Sequence, residues 1–257
     1  MQVTRRIGRS MLNKVPEVTL VFWLIKIMST TVGETGADYL AVHVGLGTSV
    51  TGLIMAALLA AVLAVQLRMG RYVPWVYWLT VVLVSIVGTQ ITDALTDKLE
   101  ISLYVSTALF ATALAATFAI WFAVERTLSI HSIVTTRREL FYWAAILFTF
   151  ALGTAAGDLA TEALGLGFNV GVVVFMALIA GVTAAYALGA NEVLAFWIAY
   201  ILTRPLGASF GDMLSQSRDY GGLGFGTIYT SLAFLAVIAA LVGWLSFADG
   251  SERTPEA

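Results

Sequence analysis

The chain has 257 residues, of which 59% are hydrophobic and only 12% charged, and its mean hydropathy is +0.88. A soluble domain carries about 25% charged residues, so the composition excludes a soluble globular protein and favours an integral membrane protein. The net charge of −2 and the lack of a basic stretch give no support to a nucleic-acid partner. The absence of cysteine excludes disulfides, thiolate metal sites and a cysteine nucleophile.

Eight apolar segments follow one another along the chain. Each can cross a bilayer as a helix, because about 20 residues span the roughly 30 Å hydrocarbon core. The segments cover residues 16–40, 46–67, 74–95, 101–124, 140–164, 168–189, 193–214 and 224–247. The sequence therefore predicts an all-α integral membrane protein with eight transmembrane helices and a polar tail over residues 248–257.

One short pattern occurs four times, always on an odd-numbered segment. It consists of an aromatic residue and Trp, nine residues, Gly, three residues, a small residue and Asp. The four copies are Phe22, Trp23, Gly33, Ala37 and Asp38; Tyr77, Trp78, Gly88, Thr92 and Asp93; Tyr142, Trp143, Gly153, Gly157 and Asp158; and Phe196, Trp197, Gly207, Gly211 and Asp212. Each repeat is predicted to be a helical hairpin made of one motif helix and one plain apolar helix.

The spacing of the copies indicates a second level of duplication. Trp23 is as far from Trp143 as Trp78 is from Trp197, to within one residue. We therefore predict two four-helix halves, residues 1–130 and 131–247. Since four is an even number of helices, the two halves are parallel repeats.

The basic residues of the connections are distributed unequally. One side has Arg5, Arg6, Arg9, Lys14, Arg68, Arg71, Arg126, Arg137, Arg138 and Arg253, and the other has Lys98 and Arg218. The positive-inside rule then predicts cytoplasmic termini. The four Trp residues of the motif lie near the cytoplasm, where we expect an aromatic belt at the membrane interface, and the four Asp residues lie toward the outside.

The Gly and the small residue of each copy are four positions apart, on one face of a helix. Such pairs allow close helix packing, so the four motif helices are predicted to surround a common axis. The Asp residues that follow, Asp38, Asp93, Asp158 and Asp212, could then converge, with Glu34 beside them.

A carboxylate within the membrane costs about 2.5–3.5 kcal/mol unless it faces water, a partner or a cation. Carboxylate and hydroxyl oxygens suit hard divalent cations, and Thr89, Thr154 and Ser209 supply hydroxyls nearby. The sequence therefore predicts a metal site at these five carboxylates. The alternative is that each Asp is solvated at a helix end or caps the next helix.

Two cations occur inside predicted spans. Lys26 lies two turns before Glu34, and Arg204 lies two turns before Asp212. We expect each cation to pair with a carboxylate, with Lys26 as an alternative proton-coupling residue. Pro205 predicts a break or kink in the seventh helix.

Glutamates also lie at the cytoplasmic entrances of three predicted helices. They are Glu17, Glu139 and Glu192. They are interpreted either as an inner gate or as solvated helix starts.

The strings Val-Gly-Glu-Thr-Gly-Ala-Asp (32–38), Leu-Gly-Thr-Ala-Ala-Gly-Asp-Leu (152–159) and Leu-Thr-Arg-Pro-Leu-Gly-Ala-Ser-Phe-Gly-Asp (202–212) resemble those of a bacterial family of multi-spanning proteins labelled uncharacterised membrane-anchored proteins. The resemblance implies a bacterial inner-membrane location and no assigned activity. Residues 34–38 are also similar to the Glu-x-Gly-Asp signature of calcium or manganese cation/proton exchangers, from which they differ by the inserted Ala37.

Together these observations predict a secondary transporter of divalent cations, with Mn as the first candidate, that exchanges them for protons. The metal is a substrate, no cofactor or enzymatic activity is expected, and a homo-oligomer is compatible with the pattern. No nucleotide-binding motif occurs in the chain, so an ion gradient would drive transport. The alternatives are a cation channel or a small-solute carrier with an acidic mouth, a non-transporting scaffold or sensor, and a metal-dependent membrane enzyme.

Overall fold

The structure, a computed structural model, describes residues 13–38 and 47–251, except for the side chains of residues 34, 36–38 and 249–251. The described residues form eight α-helices and no strand, which confirms the all-α prediction. The helices are α1 Leu20–Asp38, α2 Gly47–Arg68, α3 Pro74–Asp93, α4 Leu103–Glu125, α5 Thr136–Asp158, α6 Gly167–Ala187, α7 Glu192–Ser215 and α8 Thr227–Ser251.

Seven of these helices, α2 to α8, are long and apolar enough to cross a membrane, and α1 contributes a shorter apolar stretch, Leu20–Gly33. The protein is thus a multi-pass membrane protein, and the observed helices agree with the predicted segments to within a few residues. Helix α8 continues over residues 248–251 of the predicted polar tail. No proline occurs between Thr227 and Pro255 to end the helix earlier. The predicted connection at residues 41–45 lies outside the described residues.

The four motif helices form a closed ring. In order around the ring α1 contacts α3, α3 contacts α5, α5 contacts α7, and α7 contacts α1 again. The spans of α3, α5 and α7 are 56–61% buried, whereas those of α2, α4, α6 and α8 are only 11–17% buried. The plain apolar helices therefore lie outside the ring, where their apolar side chains face lipid.

Each outer helix packs on the ring helix of the next repeat. Helix α2 packs on α3, α4 on α5, α6 on α7, and α8 closes the circle on α1. The two helices of one sequence repeat make few contacts with each other. The hairpins expected from the sequence are therefore consecutive in the chain without being packed pairs, which corrects the predicted pairing.

The repeated glycines set the distance between ring helices. Every glycine of the motif faces the residue three positions before the glycine of the next ring helix: Gly33 faces Ser85, Gly88 faces Phe150, Gly153 faces Arg204, and Gly207 faces Thr30. A Cβ atom at residue 88 would lie 2.7 Å from the Phe150 Cβ, and one at residue 207 would lie 2.6 Å from the Thr30 Cγ2. The predicted close packing of the four motif helices is confirmed.

Pro205 does not break the seventh helix. Helix α7 is continuous from Glu192 to Ser215. The proline ring lies against Gly153 and Gly157 of α5, where a Cβ would come within 3.2 Å and 3.4 Å of it. The small residues of α5 thus provide the room that a proline inside a packed helix needs, so the predicted break was wrong.

Two ring helices continue past their Asp as π-helical turns. Helix α3 extends directly into Ala94–Lys98 after Asp93, and α5 extends into Leu159–Ala163 after Asp158. These turns occupy equivalent positions in two repeats. Single π turns often occur at functional sites.

A buried ion pair joins the segment before α1 to the rest of the molecule. The Lys14 Nζ lies 2.7 Å from the Glu139 Oε2, with side-chain exposures of 7% and 0%. Lys14 also donates to the Leu67 carbonyl at 3.0 Å, and the Gln66 Nε2 donates to the Glu139 Oε1 at 2.9 Å. Glu139 is therefore not a solvated helix start, because its carboxylate is satisfied by partners from the end of α2 and the segment before α1.

We expect the Glu139→Gln variant to lose about 3 kcal/mol of stability, because removal of one partner leaves the other charge buried without compensation. The Lys14→Met/Glu139→Gln double variant should recover much of that loss. Thermal unfolding of the purified protein in detergent measures both effects. The control is Arg137→Gln, which removes the 66% exposed partner of Glu125 and should change little. Equal melting temperatures for Glu139→Gln and Arg137→Gln would contradict this role for the buried pair.

Candidate functional site

Two fully buried cations lie in the interior of the ring, Lys26 on α1 and Arg204 on α7. The Lys26 Nζ donates to the Tyr200 carbonyl at 3.1 Å and lies 4.5 Å from the centroid of the Tyr200 ring. Both cations adjoin the Phe150 ring, with the Lys26 Nζ at 4.9 Å and the Arg204 Cζ at 5.8 Å from its centroid. Aromatic faces stabilise such cations by their negative quadrupole.

Two threonines hold the guanidinium of Arg204. Its Nη2 donates to the Thr154 Oγ1 of α5 at 2.7 Å and also to the Thr89 Oγ1 of α3. Both threonines directly follow the glycine of their repeat, and Glu34 has this register position in α1. We call the group of Lys26, Thr89, Phe150, Thr154, Tyr200 and Arg204 the cation centre. All four ring helices contribute to it.

The structure tests neither of the ion pairs expected for the two cations. Among the side chains that the structure describes, no carboxylate pairs with Lys26, and Glu34, its expected partner, is not one of them. The pairing of Arg204 with Asp212 stays a prediction. Within the described part of the chain, the Lys26 ammonium contacts a carbonyl and two aromatic rings.

Aromatic side chains close the ring toward its tryptophan end, defined by Trp23, Trp78, Trp143 and Trp197. The hydroxyls of Tyr77 and Tyr142 lie 2.5 Å apart, and both residues are fully buried. The hydroxyl of buried Tyr200 has no hydrogen-bond partner within the described part of the chain. We call Tyr77, Tyr142 and Tyr200 the tyrosine layer.

Three of the four tryptophans expected in the interfacial belt are buried instead. Trp78, Trp143 and Trp197 are only 2–4% exposed. The Trp197 Nε1 donates to the Leu128 carbonyl at 3.0 Å, and the Trp78 Nε1 donates to the Tyr72 hydroxyl at 3.1 Å. Internal acceptors thus satisfy the indole N–H groups of Trp78 and Trp197, and all three residues are buried inside the bundle.

The predicted metal ligands lie at the opposite end, which we call the aspartate end. Asp93, Asp158 and Asp212 are each half-buried, and each has an interaction partner. Among the side chains described, no three carboxylate or imidazole groups come close enough together to hold a metal ion. The side chains of Asp38 and Glu34 lie outside this set, so the convergence of the full quartet stays a prediction.

The hydroxyl residues predicted beside the metal divide into two groups. Thr89 and Thr154 bind Arg204 in the cation centre. Ser209 instead faces helix α6, with its Oγ 3.0 Å from the position of a Cβ at Gly171. The structure thus gathers Lys26, Arg204, Thr89 and Thr154 in the cation centre and separates Ser209 from them.

Sequence reasoning missed the two aromatic members of the cation centre. Tyr200 precedes Gly207 by seven residues, as Lys26 precedes Gly33, and Phe150 precedes Gly153 by three residues, as Arg204 precedes Gly207. Superposing the four repeats on their glycines would have placed Tyr200 and Phe150 at the register positions of the two cations.

The four ring helices agree with the four repeats that a comparison with known protein families finds in the chain. A family model described as Repeat of Unknown Function (DUF347) matches residues 21–72, 76–127, 141–189 and 195–251. The chain belongs to this family. Each DUF347 repeat contains one ring helix and the outer helix that follows it, which confirms the fourfold repeat found in the sequence.

The other comparisons add no relative. No curated protein and no solved structure matches the chain. The family match supports the predicted membership of a repeated membrane family, whereas no likeness to cation exchangers is shown.

Proposed function

We propose that this DUF347 protein is a secondary transporter that carries a small anionic solute together with a proton, with the cation centre as its binding site. The observation that carries the proposal is Lys26. Its ammonium group is fully buried, uses one of its three N–H donors in the described contacts, and pairs with no described carboxylate.

The electrostatics of the centre favour an anion. An ionisable residue at bilayer depth is costly unless an opposite charge or water compensates it, and Arg204 adds a second positive charge beside the same Phe150 ring. A cation that passed between Lys26 and Arg204 would be repelled by both. An anion between them would be attracted by both.

Further polar groups around the centre can bind such a solute. The Tyr200 hydroxyl is buried with its donor unused among the described residues, and its ring lies beside the Lys26 ammonium. A hydroxyl and an ammonium together match the oxygens of a carboxylate, nitrate or phosphate group.

Proton coupling follows from the burial of Lys26. A charged ammonium inside the membrane is stabilised by a bound anion, and a neutral amine does not need one. The solute and the proton would therefore bind and leave together. The tyrosine layer separates the centre from the tryptophan end in this conformation, and its opening would complete alternating access.

The proposal includes a membrane arrangement. All eight helices would span the bacterial inner membrane, with both termini and the tryptophan end in the cytoplasm, as the distribution of basic residues indicates. Residues 1–130 and 131–247 would be two parallel halves, each of which contributes two adjacent helices to the ring.

One observation favours a second candidate, the exchange of a divalent cation such as Mn²⁺ for protons. Asp93 and Asp158 occupy the same register position and directly precede the π turns of α3 and α5. Single π turns often occur at functional sites, and carboxylates are ligands for hard cations. In this case the metal would bind at the aspartate end.

Flux into liposomes separates the two candidates. The wild-type protein is reconstituted with a pH-sensitive dye inside, and inward gradients of nitrate, succinate or phosphate are applied; uptake of Mn²⁺ is followed with a metal-quenched dye. We expect at least one anion to acidify the interior, and the Asp158→Asn variant to keep this activity.

The metal candidate predicts a different pattern. Mn²⁺ would enter with wild-type protein and alkalinise the interior, and Asp158→Asn would insert normally but lose this uptake. Acidification by none of the three anions, with Mn²⁺ uptake that depends on Asp158, would overturn the anion proposal in favour of the second candidate.

A further inference from the structure

A cavity of about 470 Å³ lies on the flank of the ring at the tryptophan end, between α1, α6 and α7. It is distinct from the cation centre, because its lining includes neither Lys26 nor Arg204. Its volume is within the range of roughly 300–1,000 Å³ that is usual for small-molecule sites.

The walls of the cavity are mainly apolar and aromatic. Trp23 of α1 and Phe196 of α7 lie side by side with their ring centroids 5.7 Å apart, and Tyr186 of α6 completes the aromatic part of the lining. Helix α6 belongs to the outer layer and is only 17% buried. A ligand could thus enter from the lipid.

Among the described residues that line the cavity, the only Asp, Glu, Lys or Arg is an acid. Glu192, the first residue of α7, is exposed at the cavity, and the described part of the lining contains no Lys or Arg. His131 is also exposed there. The inner end is formed by residues such as Thr203, whose hydroxyl donates to the Tyr200 carbonyl at 2.8 Å. The cavity therefore has a carboxylate at its mouth, and the Thr203 hydroxyl at its inner end already donates to a carbonyl.

We propose that this cavity binds a hydrophobic organic cation that reaches it from the membrane. The hydrocarbon part would lie against Trp23, Phe196 and Tyr186. The cationic group would lie near the carboxylate of Glu192 and the aromatic faces, which attract cations. Charge complementarity is the reason for this choice over an anionic or neutral amphiphile.

The test uses tetraphenylphosphonium as the probe. Binding to the purified full-length protein in lipid nanodiscs is measured by equilibrium dialysis and by quenching of tryptophan fluorescence. We expect saturable binding that Glu192→Gln weakens about tenfold, as loss of a charge partner worth about 1.4 kcal/mol implies. The matched control Glu100→Gln, at an exposed glutamate outside the lining, should bind like wild type.

Two further arms make the result decisive. Thr183→Trp, which fills the cavity from the exposed face of α6, should abolish saturable binding without lowering the melting temperature. The neutral triphenylphosphine oxide should bind far more weakly than the phosphonium. Equal binding by wild type, Glu192→Gln and Thr183→Trp would mean partition into lipid only and would overturn the proposal, as would equal affinity for the neutral compound.

Discussion

The Gly88→Val variant is expected to be about 3 kcal/mol less stable than the wild-type protein, at the upper end of the range for overpacked cores. A Cβ at this position would lie 2.7 Å from the Phe150 Cβ and 3.3 Å from the Ala151 backbone nitrogen. The first neighbour is the rigid start of a side chain and the second is backbone. Helices α3 and α5 must therefore move apart, and Phe150 with them.

The matched control is Gly181→Val in α6. This glycine lies inside a helix, but a Cβ there would meet nothing within 4 Å. Thermal unfolding in the same detergent should show a clear decrease for Gly88→Val and almost none for Gly181→Val. If both variants melt together, the glycines do not set the helix spacing, and the ring of close contacts is wrong.

The Lys26→Met variant is expected to lose anion-driven proton uptake by about 100-fold, the loss that removal of one partner from a buried charged contact produces. Its stability should stay the same or increase, because a buried charge is replaced by an apolar side chain of similar length. The opposite directions of these two effects distinguish a functional lysine from a structural one. Proton flux in liposomes and thermal unfolding in detergent measure them on the same preparation.

Lys98→Met is the control for the loss of a positive charge. Lys98 is exposed, is not a member of the cation centre, and donates to the Ser49 hydroxyl at 2.7 Å. This variant should transport at the wild-type rate. A Lys26→Met protein that unfolds more easily, yet transports normally once reconstituted, would show that Lys26 only supports the fold.

Much of the architecture could be predicted from the sequence because the bilayer restricts the choices. Long apolar segments in lipid must be helices, and glycines repeated at one register position must mark close helix contacts. The structure has both features, and the glycines at residues 33, 88, 153 and 207 all face the next ring helix. The position that the glycine of one repeat faces therefore gives the positions that the other three glycines face.

The pairing of helices could not be derived in the same way. An apolar helix such as α2 has nearly the same hydrophobicity all round, so its sequence does not indicate whether it packs on α1 or on α3. The burial of the tryptophans could not be predicted for a similar reason. A Trp at the membrane interface and a Trp that donates to an internal carbonyl, as Trp197 does to Leu128, look alike in the sequence.

The candidate site was predicted in part. The unusual placement of Lys26 and Arg204 in apolar segments made them candidates for a site, and the structure adds that they share the Phe150 ring. The proximity of the two cations was not predicted, because each cation occurs in only one repeat, whereas Asp occurs in all four. A residue that differs in one of the four repeats becomes visible only when the repeats are compared position by position.

The most direct test of the account is proton uptake during anion binding by the purified protein. Nitrate, succinate or phosphate is added to the protein in weakly buffered detergent, and the pH change is recorded together with the amount of anion bound. The account predicts that a proton is taken up with each anion bound by wild type and that Lys26→Met shows neither event. Anion binding without proton uptake, or equal proton uptake by the Lys26→Met variant, would contradict it.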